Sequence, residues 1–215
     1  MSQANLDLVV LQDTNFIYGV YTHELASYSV VYMGAPIRHC SGVAVFRRVL
    51  PRFSVMALQQ FGTNVVRFQL MTRERQWYIV GCYLSPDDTL TIDCFLVAVR
   101  KRPRCSELLV AGNFNSNLTG PEGAERDKEV LADPAAAGLE DILEKFHTYL
   151  CPWYQENGIW IMLGIGREVR SRTDYILETE RCLFKNMSVL DSRHNLDHYL
   201  IIGCLRSTTV REHEN

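Results

Sequence analysis

Apolar and polar positions along this chain fall into short blocks, and most blocks have the length of a strand. Residues 7–12, DLVVLQ, read as a buried strand running into the polar Asp13-Thr14-Asn15. SVVY, between Tyr28 and Tyr32, alternates as a second strand before Gly34-Ala35-Pro36 turns the chain. GVAVF, residues 42–46, is a third, followed by a basic loop that reaches Pro51. Residues 64–70 (NVVRFQL) and 76–84 (QWYIVGCYL) are rich in β-branched and aromatic residues on either side of a charged turn, RER. They predict an antiparallel hairpin with Arg67 and Gln69 on its outward face.

The period then changes. Residues 89–99, TLTIDCFLVAV, follow a Ser-Pro-Asp-Asp turn and predict a helix capped by Thr89 or Thr91, with Asp93 early in the first turn. A second helix is predicted over 139–147, where Leu139, Ile142, Leu143 and Phe146 recur at helical spacing. Residues 159–165 (IWIMLGI) pair with 173–178 (TDYILE) in this reading, across the basic GREVRSR, and YLIIGCL at 199–205 is the last strand. Many strands, two or three helices and several hairpins predict an α+β protein of two sheets packed face to face, with helices outside.

One stretch concentrates polar chemistry. In ELLVAGNFNSNL, residues 107–118, the run Leu108 to Ala111 is the length of a strand buried on both faces, and Gly112 ends it. Asn113, Phe114 and Asn115 then turn outward, placing two amides at the carboxyl end of a core strand, where such folds commonly hold their chemistry. An amide donates and accepts hydrogen bonds but takes no proton. Other polar residues share this setting at a strand end: Asp13, Tyr83, Asp174, Asp197 and His198. Each alone reads as a turn or capping residue, whereas loops at one rim of a sandwich can bring them together.

Composition narrows the field. With 215 residues, 47% hydrophobic and 22% charged, the chain is expected to be a single globular domain, 1–215. No apolar run approaches the roughly 18 residues of a membrane span, and no secretory signal opens the sequence. Seven cysteines without CxxC spacing fit free thiols in an intracellular compartment, nuclear or cytoplasmic, better than disulfides or a zinc site. The net charge of −3 does not favour non-specific wrapping of nucleic acid, so local basic patches matter more. Two exist: Arg47, Arg48 and Arg52, and the VRKRPR cluster of Arg100, Lys101, Arg102 and Arg104.

The polar strand ends occur in an order that resembles the endonuclease/exonuclease/phosphatase superfamily, the deoxyribonuclease I-like fold. Within it the chain is similar to the apurinic-type endonuclease domain of non-LTR retrotransposons. The matching pieces are LVVLQDTN, GVAVF, YIVGCYLSPDD, LLVAGNFNSNL, RTDYILE and NLDHYLI, spanning residues 6 to 205. The resemblance implies a four-layer α/β/β/α sandwich of two mixed sheets and a metal-dependent nick in DNA. It also implies a reverse transcriptase domain as a companion in the same polyprotein. By the resemblance, Asp13 and Asp197 bind Mg²⁺, a cation that takes hard oxygen ligands. Asp174 holds His198 in one tautomer while His198 contacts the scissile phosphate or relays a proton. Tyr83 and Asn115 donate to phosphate oxygens as charge develops.

Three departures qualify that picture. Asn113 stands where the family has the Asp that orients or deprotonates the attacking water. Leu196 replaces the Ser before the Asp-His pair. Only five residues precede Leu6, so the family's first strand, with its Asn, is expected to be missing. The sequence therefore predicts an impaired endonuclease, with a catalytically inactive domain that binds nucleic acid or protein as the alternative. A phosphatase on the same fold is a third, less well matched reading.

Overall fold

The computed structural model describes residues 8–12, 14, 19–25, 28–34, 42–48, 53–72, 75–86, 88–103, 106–116, 128–130, 138–141, 161–164, 167–170, 174–179, 184–190 and 200–205. Their elements run β1 (Leu8–Gln12), β2 (Gly19–Leu25), β3 (Tyr28–Gly34), β4 (Val43–Arg48), β5 (Phe53–Phe61), β6 (Val65–Thr72) and β7 (Gln76–Tyr83). Helix α1 (Thr89–Arg100) follows, then β8 (Glu107–Asn113), β9 (Leu139–Asp141), β10 (Ile161–Gly164), β11 (Arg167–Arg170), β12 (Asp174–Thr179), β13 (Phe184–Leu190) and β14 (Leu200–Leu205).

Two sheets carry the fold. One has four strands in the order β1-β4-β3-β2, and the other has six in the order β5-β6-β7-β8-β12-β9. The pairs β10–β11 and β13–β14 form separate two-stranded ribbons. The four-stranded sheet is antiparallel throughout, whereas the six-stranded one is mixed, because β7 and β8 run parallel. Parallel neighbours need a crossover, and α1 supplies it.

Strand alternation gives the six-stranded sheet two buried faces. Val66, Phe68, Leu70, Trp77, Ile79 and Leu109 face Val43 and Val45 of the other sheet. Contact there is close: a Cβ on Gly81 would lie 2.8 Å from Val10 Cγ1 and 3.4 Å from Val43 Cγ1. On the opposite face Val65, Val80, Cys82, Leu108 and Val110 pack with Ile92, Phe95 and Val99 of α1.

Several expectations from the sequence change here. The cap of α1 is Asp88, which accepts from Leu90 N at 3.0 Å and from the Thr91 hydroxyl. Neither threonine caps it, and no acid lies in the first turn, so Asp93 sits one turn further in. The hairpin of β6 and β7 forms as expected, but Arg67 is 7% exposed because α1 covers its face. Leu139–Asp141 is a strand, since pairing with β12 overrides a helical period only a few residues long; 142–147 lie outside the described residues. Arg47 and Arg48 extend β4 rather than forming a loop. Finally, β10 pairs with β11 inside GREVRSR, while β12 inserts between β8 and β9.

Candidate functional site at the strand rim

The carboxyl ends of β7 and β8 and the start of β12 meet in one row. Asn113 pairs with Tyr83 on one side and with Asp174 on the other. Tyr83 and Leu109 both belong to the core between the sheets, so two-residue alternation places Asn113 on that face at its edge.

The turn after β8 is locked by its own side chains. Asn113 Oδ1 accepts from Asn115 N at 2.8 Å, closing an Asx turn, and the Asn113 carbonyl accepts from Leu84 N at 2.8 Å. Asn115 returns the tie, Nδ2 donating to the Leu84 carbonyl at 3.0 Å. Its φ of 47° is left-handed, a region Asn enters at lower cost than most side chains. Phe114, fully buried, anchors the turn from the helix side, edge-on to Phe95 at 5.4 Å and to Tyr175 at 5.6 Å. The motif thus divides its work: the ring fixes the loop, and the two amides shape the rim.

A residue that sequence reasoning passed over joins the two sheets at this rim. Asn64, 3% exposed, accepts from Gly42 N through Oδ1 at 2.9 Å and from Tyr83 N through its carbonyl at 2.9 Å. Gly42 in turn accepts from Thr14 N at 3.4 Å. The chain of contacts ties the end of β1, next to Asp13, to the end of β7. Its only advance signal was a polar residue beside a Gly-Thr turn opening an apolar strand, which reads as an ordinary turn.

The structure therefore brings Tyr83, Asn113, Asn115 and the Asp174 position together. Asp13, Asp197, His198 and Arg104 lie outside the described residues. Arg100, Lys101 and Arg102 are elsewhere, at the end of α1 on the opposite face of the six-stranded sheet.

Mg²⁺ is the cation the resemblance implies. Among the described residues no group of three His, Cys, Asp or Glu side chains converges. The rim does hold one buried oxygen without a hydrogen-bond partner, Thr14 Oγ1, immediately after Asp13. Neutral oxygen donors of this kind suit a hard cation only in company with carboxylates, so the fit depends on Asp13 and Asp197. Among the described residues no helix is long and apolar enough to cross a membrane.

Solved structures of endonuclease/exonuclease/phosphatase-type proteins share this fold of two packed sheets. The endonuclease domain of TRAS1, a telomere-specific non-LTR retrotransposon, aligns at 18% identity over 94% of this chain and 82% of its own, with a TM-score of 0.63. An AP endonuclease from Archaeoglobus fulgidus aligns at 14% identity over 94% of this chain and 89% of its own, TM-score 0.63. An endonuclease/exonuclease/phosphatase family protein from Leptotrichia buccalis gives 14%, 94%, 88% and 0.61. No family model and no curated protein matches the sequence.

Proposed function

We propose that the chain is a retrotransposon-type DNA endonuclease domain whose activity is impaired because Asn113 holds the water-activating position. The observation that carries this is the row Tyr83–Asn113–Asp174 at the sheet rim. A neutral amide there orients a water but cannot accept its proton. Loss of a positioned general base costs about 10²–10⁴ in rate. Tyr83 and Asn115 stand as donors to phosphate oxygens, and Asp174 orients His198, which holds or moves the proton. Asp13 and Asp197 would hold Mg²⁺, which supplies Lewis-acid stabilisation of charge on the phosphate oxygens.

The same reading implies DNA as substrate, a reverse transcriptase domain as covalent companion, and a further helical layer that completes a four-layer sandwich. Asn113 also favours a second reading, a domain kept for binding nucleic acid or protein with no catalysis at all.

A plasmid-nicking assay with Mg²⁺ separates the two. The unmodified chain is expected to nick slowly, and Asn113→Asp to gain about 10²–10⁴ in rate, with the gain abolished by a chelator. An Asp side chain can keep the Asx turn through one oxygen while presenting the other, so the exchange leaves the loop intact. Robust nicking by the unmodified chain overturns the impaired reading. No nicking by either protein overturns Asn113 as the sole cause of the impairment.

A further inference from the structure

Arg67 is a buried cation in neutral company. Nη1 donates to the Ala98 carbonyl at 3.0 Å and Nη2 to Gln59 Oε1, while the guanidinium lies 5.1 Å from the Phe61 ring centroid and 5.9 Å from that of Tyr78. Among the described residues no carboxylate pairs with it. Burial pushes its pKa below the ordinary arginine value, and burial does the same to Arg102. Charges taken from water are stable when hydrogen bonds and a counter-charge replace the solvent. At Arg67 the hydrogen bonds are present, and among the described residues a counter-charge is not.

Beside it opens a groove of about 660 Å³ lined by Gln59, Gln60, Phe61, Arg67, Lys101 and Arg102. Among the described residues the lining holds three cations, two amides and one ring, with no acid. It draws β5, β6 and the end of α1 into one surface, on the opposite face of the sheet from Asn113 and Tyr83.

We propose that this groove binds single-stranded nucleic acid, its phosphates lying against Lys101 and Arg102 and a base against Phe61. Cations supply backbone affinity without sequence preference, and an aromatic ring accepts any base face. The Gln59 and Gln60 amides are polar enough to meet base edges. The inference stands apart from the nicking reading, since it needs neither metal nor catalysis, and a failed nicking assay leaves it untouched.

The test is fluorescence anisotropy of a labelled oligo-dT strand with the full chain over a salt series, alongside amide NMR of the unmodified protein. Saturation with the oligomer is expected to shift the Gln59 and Gln60 side-chain amide signals. Lys101→Ala/Arg102→Ala is expected to reduce the slope of log affinity against log salt by about 1.4, from roughly 0.7 per phosphate neutralised on a single strand. Unmoved glutamine signals at saturation, or an unchanged slope in the double variant, overturn the proposal. Inorganic phosphate moving the same signals and displacing the oligomer at equal concentration also overturns it, by showing a site for a free anion.

Discussion

Asn113, Asn115 and Asn64 show what a neutral amide does at a strand end. Each closes a short hydrogen-bonded link that fixes the rim, and none needs a charge to do so. Asn64→Ala leaves the Gly42 N–H buried without its partner, which costs about 1–3 kcal/mol. The denaturant midpoint should fall accordingly, and an unchanged midpoint would mean that Gly42 finds another acceptor. At Asn115 backbone shape adds to that link: Asn115→Gly and Asn115→Val both lose the bond to the Leu84 carbonyl, and Val should lose about 1–2 kcal/mol more than Gly in the left-handed region. Equal stability of the two would remove the conformational explanation. Asn113 and Asn115 were legible in the sequence because two amides follow an apolar run. Asn64 was not, since its role depends on Gly42, 22 residues away.

Among the elements, legibility tracked regular alternation. The β6–β7 hairpin and the β8 strand were readable because apolar residues keep one parity. Strand β5 was missed because a register shift between Met56 and Gln59, with Ala57 at a φ of 49°, sets Val55 and Leu58 on the same core-facing side. That three-residue spacing hides a strand. Another shift, between Phe184 and Asn186, disguises β13, and β2 carries Gly, His and Glu among few apolar residues. Over Leu139–Asp141 the helical period shows the reverse error, a local pattern that long-range pairing with β12 overrules. Close packing between the elements offers its own test. Gly81→Ala drives a methyl against Val10, an overpacking cost of about 1–3 kcal/mol, and Val10→Ala should recover part of it. A double-mutant cycle with no coupling would show that the sheets do not meet there.

At the scale of the molecule, one sheet belongs to two cores. Strands β6, β7 and β8 send alternate side chains to the four-stranded sheet and to α1. Neither core can dissolve without removing support from the strands that build the other. Cooperative loss is the consequence, because separating the layers would expose apolar area on both faces of the shared strands at once. The rim depends on the same arrangement: Asn113 and Tyr83 sit at the edge of one core, while Phe114 is sunk in the other. Emission from Trp77, in the inter-sheet core, and the helical amide NMR signals of Phe95 and Leu96 in α1 should therefore report the same denaturant midpoint. To isolate Trp77, the comparison uses a chain in which Trp153 and Trp160 are replaced by Phe. An earlier loss of helical signal, with Trp77 still in its buried environment, would mean that α1 and its core form a separable unit. The rim would then survive on the inter-sheet core alone, and the anchoring role given to Phe114 would fail with it.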